Sequence, residues 1–218
     1  MARLLFEKTG RAVWISHLDL MRLFQRAFKR AGFPLKHTQG YNPRPSVSIA
    51  IPLSVGVESV CELLDFELEG DLPSMDAIRD GLNAALVDGV KVISVSHGGK
   101  KIKELAYLTC KVVLEYDNGV GEDAAEAIRL LFAQPSVVVE KKSKNGPTET
   151  DIIPMIRQLE VRSQERAICI DAKVCCQNPS LNPMLLEAAV ARYLPQYKAD
   201  HVRTARVEVF DSQDKIFR

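Results

Sequence analysis

The residues of this chain whose types and spacing could do chemistry crowd into one stretch, residues 14–57. Arg22, Arg26, Lys29 and Arg30 recur at i, i+4, i+7 and i+8, a spacing that places side chains on one side of a helix. A basic stripe of this kind tracks phosphates through charge and counterion release. Gly40, Tyr41, Asn42, Pro43, Arg44, Pro45 and Ser46 follow a few residues later. Pro43 and Pro45 fix their own φ and bias the residues before them toward extended backbone, so Arg44 is presented with little freedom. Less entropy is then lost when it binds. Tyr41 offers a ring on which a base can stack, Arg44 a fork for a phosphate, and Asn42 an amide that can read a polar edge. The plainer alternative is a solvated helix face beside a crossover loop in which Tyr41 packs and Asn42 caps a turn.

His17 and His37 are the further functional candidates. His17 falls in the first turn of the basic helix, where the helix dipole disfavours the imidazolium form, so a neutral, half-buried structural histidine is expected. His37 lies near Tyr41, and His97 and His201 fall in loop-like positions. No His, Cys and acid set has metal-ligand spacing, and there is no P-loop, GxGxxG, GxSxG or paired-histidine motif. The expectation is therefore no metal, no cofactor and no catalytic residue, with the question of enzymatic activity leaning toward none.

The elements that must position these residues read from punctuation and periodicity. Residues 2–8 suggest a strand ending at Gly10. Ser16 provides a hydroxyl cap with Asp19 three residues on, and Leu20, Phe24, Ala27, Phe28 and Ala31 recur at helical spacing up to Gly32 and Pro34. This predicts a basic helix over 17–31. A short strand over 34–39, the Pro-rich loop 40–46, extended segments through residue 68, a helix opened by Pro73 and Ser74, and a strand from Val90 complete a β-α-β-β-α-β order, the ferredoxin-like unit. Residues 97–104 read as a linker. The order then repeats: strand 106–116, helix 122–132, strand 137–142, strand 167–175, helix 183–194 begun by Asn182 and Pro183, and strand 202–210. An extra element falls at 151–161, and 141–150 reads as a hairpin tip or loop. The expected fold is α+β: two tandem ferredoxin-like (βαββαβ) domains, 1–97 and 104–218, the second carrying an inserted segment at 143–161.

Composition fits a globular protein of 218 residues, 46% hydrophobic and 26% charged. No run of about 18 apolar residues suggests a membrane span, and the N-terminus lacks the pattern of a secretory signal. Five cysteines without framework spacing suggest small buried hydrophobes in a reducing cytoplasm. The net charge of +1 hides an asymmetry. Residues 1–50 are strongly basic, whereas 51–90 carry Glu58, Glu62, Asp65, Glu67, Glu69, Asp71, Asp76, Asp80 and Asp88 against Arg79 alone. Adjacent positive and negative faces can recognise an anion and orient it, or simply attract each other within one domain.

Phe6, the run SHLDLMR at 16–22, Phe24, Ala27, Arg30, Ala31, Gly32, Pro34, Gly40 to Pro43, Pro45, Pro52, Leu53 and Val55 to Glu58 resemble the radical SAM-associated domain family, DUF2344. The specific part covers the first third of the chain, and the remainder agrees in general pattern, including residues 151–156. The resemblance implies a partner or substrate-presenting role beside a radical SAM enzyme on a separate chain, and it carries over no catalytic residues. It fits the absence of a cysteine triplet for an iron–sulfur cluster. The family often has histidine at the position of Arg44, which is compatible with anion contact, and phenylalanine at Tyr41, which favours packing or stacking.

The leading expectation is a non-catalytic accessory protein that binds RNA or a ribonucleoprotein through Arg22, Arg26, Lys29, Arg30, Tyr41, Asn42 and Arg44. One alternative is a metal-independent endoribonuclease of the Cas6 type, with His17 or His37 and Tyr41 as its only candidates. The lack of glycine in residues 202–218 counts against it. The other is a protein-interaction module that uses the acidic 58–88 surface or a strand edge.

Overall fold

Ala2, Leu4 and Phe6 are buried on one face of β1 (Ala2–Lys8), as the two-residue period of a strand requires. Leu20, Phe24, Ala27 and Phe28 of α1 (His17–Arg30) pack on that face, and the Phe6 and Phe24 rings meet edge-on at 4.7 Å. Ile78 and Leu82 of α2 (Met75–Ala85) complete the cluster. The computed structural model describes residues 1–143 and 146–218. Among them, ten strands and four α-helices form a mixed α+β fold with mostly antiparallel strands. None of the helices is long and apolar enough to cross a membrane.

The chain divides into two compact units, Met1–Glu104 with Ile216–Arg218, and Leu105–Lys215. In the first, β2 (Val47–Ile49), β3 (Val57–Phe66) and β4 (Val90–His97) join β1 in the order β4-β1-β3-β2, every pair antiparallel. The strand expected at 34–39 does not form. Leu35 and His37 make only isolated bridges, to Leu68 and Pro45. Pro34 has no amide hydrogen, and the loop after residue 39 folds back onto the Lys36 carbonyl and the Thr38 amide, while the Lys36 amide goes to Glu67.

The last three residues belong with the first unit, although the sequence reading assigned them to the second domain. Phe217 is fully buried, and the Arg3 guanidinium lies 5.0 Å from its ring centre. Arg3 is itself buried and forks onto Asp65 at 2.6 and 2.9 Å, with a third bond to the Lys100 carbonyl at 3.0 Å. An apolar ring covers a guanidinium face that water would otherwise have to reach.

In the second unit, β5 (Leu105–Glu115), β8 (Ile156–Gln164), β9 (Ala167–Cys175) and β10 (His201–Asp211) form an antiparallel arrangement in the order β10-β5-β9-β8. The helices are α3 (Glu122–Phe132) and α4 (Met184–Tyr193). Asn182 caps α4 by accepting from the Met184 amide at 3.2 Å. The strand expected over 137–142 forms as β6 (Val138–Ser143) but does not join this sheet. It pairs with β7 (Gly146–Asp151) in a separate two-stranded ribbon, and β8, which begins within the segment read as an insertion and runs past its end, takes the place beside β9. Val139 of the ribbon is buried, as is Val161 of β8, and Ile152 and Met155, which connect the two, are buried as well. Of the hairpin tip expected at 141–150, residues 144–145 lie outside the described residues.

Burial also settles the chemistry of two cysteines. Loss of hydration pushes the Cys110 thiol up to about 12 and the Cys176 thiol up to about 11. At pH 8 the reactive thiolate of Cys110 is then on the order of one part in ten thousand. Native protein treated with iodoacetamide at pH 8 should leave both unlabelled by mass spectrometry, and urea should expose both. Rapid native labelling would contradict this burial.

Candidate functional site

The Ser16 hydroxyl accepts the Asp19 amide at 3.2 Å and donates to the Asp19 carboxylate at 2.7 Å, which starts α1 where the sequence places it. The hydroxyl, followed by Arg22, holds the Asp19 carboxyl below its usual range. Arg22 is tied to Asp19 at 3.0 Å yet remains two-thirds exposed. Arg26 is exposed and makes no side-chain hydrogen bond among the described residues. Arg30 reaches the other way and donates to the Ala85 carbonyl at 2.6 Å, at the end of α2, where a cation suits the helix dipole. Lys29 stands about 100° around the helix from Arg30. The four cations therefore do not act as one stripe. Arg22 and Arg26 present outward, Lys29 turns toward the loop, and Arg30 helps to hold α2.

Loop 40–46 is the tip of a closed excursion. Thr38 donates its amide to the Arg44 carbonyl at 2.8 Å, and the Arg44 amide returns a bond to the Thr38 hydroxyl at 3.0 Å. Below them the Ser46 amide donates to the Lys36 carbonyl at 2.6 Å. Lys36 and Ser46 also bond the Glu67 backbone, which ties the foot of the loop to the end of β3. At the tip Tyr41 is 100% exposed, and Asn42 and Arg44 are exposed beside it. The packed tyrosine of the plainer alternative is absent, and a fully solvated aromatic on a closed loop is free to stack on a partner.

An open cleft of about 550 Å³ separates α1 from the foot of this loop. Gln25 and Lys29, one turn apart on α1, line one side, and Phe33, Pro45, His37 and Glu69 line the rest. The His37 Nδ1 atom stands 3.8 Å from a Glu69 carboxylate oxygen, and both side chains are about half exposed. The structure thus brings Lys29, His37 and the loop base together. His17 is not among the residues lining this cleft. It is half-buried at the start of α1, and its Nδ1 is buried without a hydrogen-bond partner among the described residues.

Sequence reasoning missed Gln25, Phe33 and Glu69 as members of a site. The i, i+4 relation of Gln25 and Lys29 was legible, but nothing in the spacing brings Glu69 to them. The acidic stretch is not one surface. Glu62 and Asp65 are buried, Glu67 pairs with Lys36 at 3.6 Å, and Asp76 and Asp80 pair with Arg79 at 2.7 and 2.8 Å. The second unit holds a polar concavity of about 500 Å³ at the start of β10, where His201 stands 3.9 Å from Asp117 and Arg203 pairs with Glu115 at 2.5 Å. His201 and Arg203 already face carboxylates and Arg166 donates to the Asp117 carbonyl, so it offers less free charge to a ligand. Among the described residues, no group of three or more His, Cys, Asp or Glu is placed to hold a metal ion.

No curated protein matches this chain. A chain of the solved Cbf5-Nop10-Gar1 complex is 10% identical with a TM-score of 0.54, over 95% of this chain and 48% of that one. A chain of the H/ACA RNP bound to a substrate RNA containing 2'-deoxyuridine is 10% identical with a TM-score of 0.49, over 94% of this chain and 46% of that one. This chain thus spans about half the length of these two solved chains, and at such identity the first likeness concerns fold alone. The resemblance carried by residues 6–58 extends much further: the model of the family described as "Uncharacterized protein conserved in bacteria (DUF2344)" matches residues 2–183, and the chain belongs to that family.

Proposed function

We propose that this chain is a non-catalytic accessory protein that binds RNA, or an RNA–protein particle, through α1 and loop 40–46, and presents it to a radical SAM enzyme on a separate chain. One observation carries the binding half. A closed loop holds a fully exposed Tyr41 beside Arg44, and its foot shares a cleft with Lys29 of α1. Exposed aromatics beside cations suit single-stranded nucleic acid, whose bases stack and whose phosphates pair. The radical SAM half rests on the family signature of residues 6–58, and the reading sets the protein to work in the cytoplasm, where RNA is. Both units are variants of the ferredoxin-like plan, the second with the β6–β7 ribbon inserted. In each unit the strands, numbered within it, lie in the order 4-1-3-2 with two helices between them, which supports that assignment.

The test is a gel shift with short single-stranded oligoribonucleotides over a salt series, with wild type and the Arg26→Glu/Lys29→Glu double variant. The expected result is a salt-sensitive shift with intact RNA. The variant should bind about tenfold more weakly, with a salt slope lower by about 0.7 for each phosphate it no longer neutralises. No shift by wild type at low salt, or equal binding by the variant, would refute the proposal. Shortened RNA would put a metal-independent nuclease using His17 or His37 in its place. A tight complex with the enzyme that survives RNase, without any RNA shift, would leave a protein-interaction module.

A further inference from the structure

We infer that the cleft between α1 and the foot of loop 40–46 is a seat for one unstacked nucleotide, with its base between Phe33 and Pro45 and its phosphate at Lys29. The inference rests on the RNA-binding reading and names the unit of RNA that this site would take.

The walls are rigid for identifiable reasons. Phe33 lies against α2 at Gly81, where an added Cβ would come within 2.9 Å of the ring, so the ring is backed by helix and cannot swing away. Pro45 has a fixed φ and is pinned through its neighbour Ser46, whose amide bonds the Lys36 carbonyl at 2.6 Å. Leu35 is 7% exposed and belongs to the core cluster, so it anchors the cleft to the body of the unit. A preformed slot with an aromatic ring and a proline suits a planar heterocycle, because little freedom is lost on binding. The volume of about 550 Å³ falls within the range of roughly 300–1,000 Å³ usual for small-ligand sites.

The polar groups narrow the ligand further. Lys29 supplies an ammonium and Glu69 an acceptor-only carboxylate. A purely apolar guest would leave the Lys29 ammonium unanswered, and a simple anion would meet Glu69 as a like charge. A nucleotide has an anionic phosphate and, at the far edge of its base, N–H donors. It can answer both charges at once, and the Gln25 amide can both donate to and accept from the same edge. The surplus of exposed cations on α1 then steers the rest of the strand toward Arg26 and Arg22.

The experiment titrates the intact protein with each of the four ribonucleoside 5′-monophosphates and follows the Gln25 side-chain amide and the His37 ring by NMR. Gln25→Trp is measured in parallel, because it fills the cleft from a half-buried helix position without changing charge. Lys29→Gln serves as the second variant should Gln25→Trp lose its helical circular dichroism. The expected result is a shift of both signals in wild type and loss of the His37 shift in Gln25→Trp, which no longer carries the Gln25 amide. Oligoribonucleotide affinity should also fall about tenfold with an unchanged salt slope. Nucleotides that leave Gln25 and His37 unmoved would overturn the seat, as would wild-type oligonucleotide affinity in Gln25→Trp. The RNA-binding reading would survive either result if wild type still shifts the oligonucleotide. A wild type that moves Gln25 and His37 with mononucleotides but ignores the oligonucleotide would support the seat and end the RNA reading.

Discussion

Asp65→Ala should destabilise the first unit by about 3–5 kcal/mol, the usual cost of removing one partner of a buried ion pair. Arg3 has 1% of its side chain exposed and Asp65 8%, so water cannot replace the lost carboxylate. The Arg3 Nη1 atom is already buried without a hydrogen-bond partner among the described residues. The variant would leave the guanidinium with the Lys100 carbonyl and the face of Phe217 only. Thermal melting, with amide exchange along β1 to localise the loss, measures the effect. The double variant Arg3→Met/Asp65→Leu should regain most of the stability, because well-packed apolar groups often replace a buried pair at little cost. A loss below 1 kcal/mol in Asp65→Ala would mean that water reaches this pair.

Tyr41→Ala should weaken binding of single-stranded RNA roughly 5- to 150-fold, the equivalent of the 1–3 kcal/mol that stacking of one base contributes. Its ring is fully exposed, so removal leaves the fold and its melting temperature unchanged. The salt slope should also stay the same, because no charge is lost. Arg44→Ala should behave differently and lower the slope by about 0.7 through one phosphate contact. Tyr41→Phe should bind as wild type, since the stacking face is kept. Filter binding at several salt concentrations separates these outcomes. Wild-type affinity in Tyr41→Ala would remove the loop tip from the interface.

What could be read directly was local. The cap of Ser16 on Asp19 and the stripe Leu20, Phe24, Ala27 and Phe28 needed no partner more than four residues away. The turn at Gly32, with φ +77°, and the cap of Asn182 on α4 are local in the same way. Each depends on backbone geometry within a turn, which residue type alone constrains. The family signature was legible for a similar reason, since its motifs are short and contiguous. The matching family model nonetheless runs on to residue 183, beyond the stretch where those motifs lie.

The strand choice in the second unit was not legible. Residues 137–142 read as a strand and 151–161 only as an extra element, yet it is β8, which begins in the latter, that pairs with β9. The candidate site followed the same division. The sequence by itself determined a basic helix, a proline-braced loop and the residues they carry. Tertiary structure decided that Arg30 holds the Ala85 carbonyl 55 residues away, that Lys29 shares a cleft with Glu69, and that Arg3 lies buried against Asp65. Helical spacing specifies which side chains share a direction. Which of them meets a distant partner depends on how loops close and what apolar area their closure buries, and no local pattern encodes that.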